Sequence, residues 1–435
     1  MTWPNVSSYC VNINIQNLSL FLLLKTKTIW SNISEKFHLF QLNNILIKFW
    51  FLNSASLTNA ANENKLDVVY YILTKQKKIC KSTFNECDEM TKIAIPPSIM
   101  LIEEKSFFQL SITEISIPSS VQSIGQSTFS ECKSLTKISI PSSVKFIEIF
   151  AFSGRKSLKK VTIPSSITKI EKGLFMECNF LKKIIIPSSI VSIGEGAFQG
   201  CSSLRKIRIP SSVNSIEGYA FCECLSLVEV TIPDSITKIS KGLFSGCISL
   251  RQIHIPSNVT EIGNTSFKLC KSLTDIKLPE SLKIIEMDAF LDCNSLKEIN
   301  IPSSVTSIND YAFCGCLSAE NISISNSIKD IGSYVFYGCR ALKNIRIPSS
   351  VKSIGYFSFS YWTSLVQVII PFSVTKIVSC AFYGCTSLQE INIPSSVSLI
   401  GIDAFYKCVS LKKVTTSYPI SDYNGIDSQV KVIKQ

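Results

Sequence analysis

The chain has only two histidines, His38 and His254, among 435 residues. With so few, and so far apart, neither a Cys/His pair nor a Ser/His/Asp set can be assembled, which removes the commonest nucleophilic machinery. No Gly-rich phosphate loop of the P-loop or dinucleotide-binding pattern occurs. Charge is sparse: 17% of residues are Asp, Glu, Lys or Arg against 46% hydrophobic, a balance that excludes wholesale disorder. Long apolar runs are missing. The best stretches, 18–24 and 45–52, fall short of the roughly 18 residues that cross a bilayer, and Lys48 interrupts the second. Residues 1–17 hold no Lys or Arg, so the basic start of a secretory signal is wanting. The chain end at Gln435 carries no apolar tail of the kind that precedes a lipid anchor. These absences favour a soluble, non-enzymatic protein with no cofactor, no metal and no membrane span.

What is present is repetition. Phe84, Phe107, Phe129, Phe152, Phe175, Phe198, Phe221, Phe244, Phe267, Phe290, Phe313, Phe336, Phe359, Phe382 and Phe405 follow one another at steps of 23 residues, with a single step of 22 between Phe107 and Phe129. A fixed period in the range of about 20–29 residues with spaced apolar positions marks a leucine-rich-repeat solenoid. In the unit 204–226, Ile207 and Ile209 alternate with Lys206 and Arg208, which predicts a short strand with one apolar and one wet face. Pro210 ends that strand, because it has no N–H to give to the next turn. Val213 and Ile216 return inward from a far wall, and Phe221 and Cys224 close the turn. The residue after the second-wall Ile is Gly at 125, 194, 263, 332, 355 and 401 but Glu, Ser, Asn or Val elsewhere, so that position does not demand positive φ. At about 4.8 Å per strand the array is expected to be roughly 70 Å long.

Seventeen cysteines would ordinarily suggest a disulfide scaffold, but twelve of them, from Cys87 to Cys408, share one column three residues after the Phe. Arg155 and Trp362 replace the thiol in two repeats, and Leu110 stands near that place in the shortened one. The column reads as buried free thiols that act as small hydrophobes with a weak donor. Cys222/Cys224 and Cys314/Cys316 form Cys-x-Cys pairs. Zinc needs four ligands around one point, and pairs four turns apart lie about 19 Å from one another, so they cannot share an ion. Cys222 and Cys314 are expected to be exposed. Six Asn-x-Ser/Thr sequons, at Asn5, Asn17, Asn32, Asn258, Asn264 and Asn321, match chance in a Ser-rich chain and acquire meaning only on secretion.

Four regions follow: an irregular leader over 1–56, a helical segment over 57–78, the repeats over 79–416, and a tail or cap over 417–435. In the second, Ala60, Ala61, Leu66, Val68, Val69, Ile72 and Leu73 recur at helical spacing, and the segment resembles the second half of an ankyrin repeat. One half-repeat cannot bury its own face, so its expected job is to cover the open N-terminal end of the solenoid.

The recurring Ile-Pro-Ser-Ser-Val, Ile-Gly-x-x-Ala-Phe and Gly-Cys-x-Ser-Leu, seen at 209–213, 193–198 and 200–204, resemble the BspA-like, or Treponema pallidum type, leucine-rich-repeat family over about three-quarters of the chain. The resemblance implies a β-rich right-handed superhelix of about 15 repeats. It also implies surface-antigen-like adhesion to a host cell or matrix protein. It supplies no site residues, because the shared motif is the scaffold itself. Surface display follows from the resemblance, whereas a cytoplasmic scaffold or adaptor follows from the missing signal and anchor.

Specificity must then lie in the variable columns. The position before the first strand Ile reads Lys137, Lys160, Lys183 and Lys206 in four consecutive repeats, then turns to Glu229, Gln252, Asp275 and Glu298. Lys159, Lys182, Arg205 and Arg208 reinforce the basic part. Like charges stacked about 5 Å apart are unfavourable unless solvent or an anionic partner screens them. Lys137, Lys160, Lys183, Lys206 and Arg208 are therefore the candidate partner-binding residues, facing an acidic protein. Nucleic acid is disfavoured, because strand-face aromatics for base stacking are absent there. His254 is expected on the wet face of its strand as a surface imidazole.

Overall fold

The computed structural model describes residues 73–74, 76–84, 87 and 90–434. The leader over 1–56 and nearly all of the ankyrin-like segment lie outside these residues. The rest is a β-solenoid of about 15 turns with two walls of parallel strands.

On the first wall nearly every described turn contributes a short strand, such as Lys137–Ser139 followed by Lys160–Thr162, with its middle residue buried and its flanks exposed. Strand pairing is in register, Lys137 opposite Lys160 and Ile138 opposite Val161. The β-branched centre packs inward and the two outward residues stand on one wet face, as the period of two requires. The second wall is built of two-residue strands, Ser192–Ile193 beside Ser215–Ile216 for example, whose Ile is again buried.

Between the walls the chain turns at Pro-Ser-Ser-Val. The Pro141 carbonyl accepts from the Val144 N–H at 3.1 Å. The second serine does something the sequence alone did not disclose. Ser143 Oγ donates to the Val121 carbonyl of the preceding turn at 2.8 Å, and Ser166, Ser212 and Ser350 repeat this at 2.6–2.7 Å. A column of hydroxyls thus satisfies carbonyls that no strand reaches.

The third side is the turn edge. The phenylalanine rings from Phe84 to Phe405 form one continuous stack, with neighbouring centroids 5.0–6.0 Å apart. Backbone bonds run along the same side, Phe129 N–H to the Ala151 carbonyl at 2.9 Å among them. Left-handed backbone occurs here in two columns, two residues before and two residues after each core Phe, as at Tyr219 (φ 58°) and Glu223 (φ 58°). The glycines after the second-wall Ile have other work. A Cβ on Gly194 would come within 2.6 Å of the Lys172 backbone in the preceding turn.

The 22-residue step is absorbed in a turn. Leu110 keeps the cysteine's place and is buried, while Ile112 takes the next core position one residue early. First-wall register is unchanged across it, Lys92 to Glu114 to Lys137. The missing residue leaves a surface depression of about 290 Å³ lined by Gln109, Leu110, Ser111, Glu131, Lys133 and Ser134.

The two ends of the described core differ. Leu73 is buried, and its carbonyl accepts from Ser98 Oγ at 3.1 Å, extending the serine column downward. At the other end the strand Lys431–Lys434 pairs with Lys413–Thr416 as a further first-wall rung. Asn424 takes the backbone place of a next Phe turn: its carbonyl accepts from the Phe405 N–H, and its side chain donates to the Ile400 carbonyl at 3.0 Å.

Candidate functional site

The outward columns of the first wall carry the charge pattern. Lys137, Lys160, Lys183, Lys206 and Arg208 are all exposed. Strand register places Lys137 opposite Lys160, and an isolated bridge places Lys160 opposite Lys183. Lys206 leaves this row: its Nζ lies 2.6 Å from Glu229 Oε2 on the next turn. The free row is therefore Lys137, Lys160 and Lys183, bounded by Glu114 on one side and by the Lys206–Glu229 pair on the other. Lys159, Lys182 and Arg205, also exposed, form a second basic column beside it.

The structure departs from the expected pattern at the middle of this block. Every other first-wall turn forms a strand, but residues 183–185 keep only the single bridge at Lys183. Like charge alone does not account for it, because Lys137 and Lys160 stand opposite one another in a complete strand pair one turn earlier. The second wall is intact at the same level, Ser192 opposite Lys169, so the disruption is local.

That turn also exposes two large apolar side chains. Phe180 is 52% and Ile185 68% exposed, one on each side of Lys182 and Lys183 in the chain. In neighbouring repeats Phe180's column holds Ser134, Ser157 and Ser203, while Ile185's holds Ser139, Thr162 and Arg208. Comparing outward columns repeat by repeat would have revealed both. The expectation that aromatics are absent from this region holds for the strand itself but not for the turn that enters it. From Lys206 onward the face continues into an open depression of about 820 Å³, lined by Val228, Glu229, Arg251, Gln252 and Thr274 among others.

Thiols are unsuited to chemistry. Cys178 Sγ donates to the Phe152 carbonyl at 3.3 Å, and the other column thiols from Cys132 to Cys408 repeat the contact to the Phe carbonyl of the preceding turn. Burial pushes the Cys178 thiol up to about 12 and holds Cys201 and Cys247 well above the ordinary thiol range. Cys222 and Cys314 are not exposed as expected. Cys222 is 8% exposed and Cys314 half-buried, because both follow a core Phe on the crowded turn edge, where burial raises them to about 11 and about 12. Among the described residues no cluster of three or more His, Cys, Asp or Glu could hold a metal ion. His254 stands exposed in register with Lys277. The Asn258 amide donates to the Asp234 carbonyl at 3.1 Å, so its sequon lies in an ordered turn. No helix of the described residues is long and apolar enough to cross a membrane.

The profile of the BspA type leucine rich repeat region matches residues 56–182, 169–297, 260–386 and 354–425. The chain belongs to this family. Among solved structures, the BspA-type chain is similar to a leucine-rich repeat protein from Bacteroides ovatus, with 36% identity over 72% of this chain and 88% of that one, at a TM-score of 0.65. A leucine-rich repeat protein from Eubacterium ventriosum shows the same fold at 23% identity, 72% and 87% coverage and a TM-score of 0.50. A leucine rich cell surface protein from Faecalibacterium prausnitzii is 28% identical over 81% and 86% of the two chains, with a TM-score of 0.45. No curated protein sequence matches the chain. As a BspA-type repeat protein it has invariant columns engaged in turning and packing, so only its outward columns are free to recognise a partner.

Proposed function

We propose that this protein is a non-enzymatic, protein-binding repeat protein that engages an acidic partner through the basic block of its first wall. The observation that carries the reading is the row Lys137, Lys160 and Lys183. These are exposed ammonium groups on successive turns, without ion pairs even though Glu114 stands opposite Lys137, whereas Lys206 on the next turn pairs with Glu229. Charge of one sign held at such spacing gains by meeting a complementary surface, which speeds encounter and rejects basic competitors. Adhesion to a host or matrix protein, as the family resemblance implies, is one setting for such a face. A scaffold in a reducing compartment is a second, favoured by free thiols at every described cysteine.

The test is the variant with Lys137, Lys160, Lys183 and Lys206 all changed to Glu, titrated with polyglutamate and with polylysine at low salt. The native protein is expected to bind polyglutamate at least ten-fold more tightly than the variant does. Unchanged affinity would sink the reading. Surface labelling of intact cells separates the two settings, since only a displayed protein is modified.

A further inference from the structure

Phe180 and Ile185 do not belong to a purely electrostatic surface. A solenoid built by repeating one unit should place Ser where Phe180 stands and a polar residue where Ile185 stands, as the adjoining turns do with Ser157, Ser203, Thr162 and Arg208. Instead the central turn of the basic block exposes a phenyl ring and a sec-butyl group, on either side of Lys182 and Lys183 in the chain. Exposed apolar side chains on the same turn as Lys182 and Lys183, within a basic block, have the composition of a recognition surface that joins apolar anchors to charge. We propose that Phe180 and Ile185 are the apolar anchor of the basic block, and that the block takes a short acidic protein segment carrying an apolar side chain between its carboxylates. The proposal rests on the charge reading given above and narrows it to one class of partner.

The shape of the block selects among anionic partners. It is bounded along the solenoid by Glu114 and by Glu229, with Asp275 and Glu298 further along the same face. A planar anionic membrane resting on the Lys row would also meet these carboxylates. A long polyanion running along the axis would cross them. A segment about as long as three turns, roughly 14 Å at the usual strand spacing, meets only the basic rows. A phosphate or sulfate backbone would in addition gain nothing from Phe180 and Ile185, whereas an apolar side chain of a peptide would remove both from water. The local loss of strand pairing at 183–185 leaves this turn less tightly tied to its neighbours, so its side chains can adjust to a bound segment.

The experiment uses the full chain and two synthetic probes: an acetylated peptide of alternating glutamate and leucine, and its counterpart with serine in place of leucine. Three proteins are titrated: the native chain, the F180S/I185T variant and the K137E/K160E/K183E variant. Phe180→Ser and Ile185→Thr install residues that adjoining turns already carry in the same columns, so the fold is kept. The native chain is expected to bind the leucine peptide at least ten-fold more tightly than the serine peptide. The F180S/I185T variant should bind both equally, at the native affinity for the serine peptide. The Lys variant should bind neither.

Equal native affinities for the two peptides, or a leucine preference that survives F180S/I185T, overturn the anchor. Loss of serine-peptide binding in the Lys variant without any leucine gain leaves the charge reading standing and removes only the anchor. Retained binding in the Lys variant at low salt removes both. Vesicles with one-third phosphatidylserine and a sulfated polysaccharide serve as the remaining arms. If either depends on Phe180 and Ile185 more strongly than the leucine peptide does, the partner class is wrong.

Discussion

At two of the full-length turns the core cysteine is replaced, by Arg155 and by Trp362, and the molecule treats the two replacements differently. Trp362 is fully buried, stands edge-on to Phe336 and Phe359, and donates its Nε1 hydrogen to the Phe336 carbonyl at 2.5 Å. That is the carbonyl a cysteine there would use, since Cys385 donates likewise to Phe359. Arg155 is equally buried, yet Nε, Nη1 and Nη2 have no hydrogen-bond partner, and the guanidinium meets only the faces of Phe129 and Phe152, at 5.2 and 4.9 Å from the ring centroids. Burial without a counter-ion pushes the guanidinium's pKa down. Outside the shortened turn, where Leu110 fills the place without a donor, the column keeps one buried donor and accepts a large change in volume to do so. What it does not accommodate is charge. The turn edge outside Trp362 is also aromatic, with Tyr334 stacked on Tyr311 and on Phe357, whereas the Arg155 region has Phe150 lying over Gly173.

The largest effect that sharpens this contrast is in pH. Core thiols such as Cys178, Cys201 and Cys247 are held above their ordinary range by burial, so they stay protonated in the fold and ionise near pH 8.5 once unfolded. Their stabilisation is complete below about pH 8.5 and is lost as pH rises toward the folded values, at about 1.4 kcal/mol per unit for each thiol. The thermal midpoint should stay level from pH 6 to 8 and drop steeply from pH 9 to 11. A variant with Cys201, Cys224 and Cys247 changed to Ala should fall less steeply; parallel curves would remove the thiols as the cause. Arg155 eases ionisation of its neighbours Cys132 and Cys178. Those two should be alkylated in alkali before Cys201, Cys224 and Cys247, and Arg155→Cys should abolish the preference.

Arg155→Cys itself should stabilise the chain by about 2 kcal/mol. An unpaired buried charge costs roughly 3–5 kcal/mol, and the two ring contacts return only part of it. A lower thermal midpoint in this variant would show that the guanidinium has a role the packing hides. Trp362→Phe keeps a ring but leaves the Phe336 carbonyl unpaired, and should cost about 1–3 kcal/mol, with faster hydrogen exchange confined to the adjoining turns. Trp362→Cys should restore most of that loss.

The smallest effect is an internal control in the serine column. Ser350 donates to the Ile328 carbonyl, so Ser350→Ala should cost about 1 kcal/mol, whereas Ser373 has a buried hydroxyl with no partner and Ser373→Ala should be neutral or stabilising. Equal effects at both sites would mean that the hydroxyl column adds nothing.

The walls, the phenylalanine stack and the thiol column were legible in the sequence because each depends on one residue type recurring at one position. Other features left no such trace. The two left-handed columns on the turn edge hold Tyr, Asp, Glu and Lys as readily as Gly, since the bonds between turns impose the conformation whatever stands there. The serine column is hidden for another reason: its acceptors lie 22 residues back and only meet the hydroxyl once the solenoid has closed. The seal around Asn424 escaped because it abandons the 23-residue spacing. At the candidate site the Lys row was visible as a run of one letter. The pairing of Lys206 with Glu229, the lost strand at 183–185 and the exposure of Phe180 and Ile185 depend on what each residue faces on the next turn.

The shortened turn at 109–112 has a consequence for what this scaffold can become. A residue is absent there, and neither wall has shifted. The stretch between the thiol column and the next core leucine is therefore where the array tolerates a change in length, since it carries neither wall's register. A peptide tag or a foreign epitope grafted at that point would be displayed on the outside of an unaltered ladder. Fifteen such turns offer fifteen evenly spaced docking points for cargo along one rigid ruler.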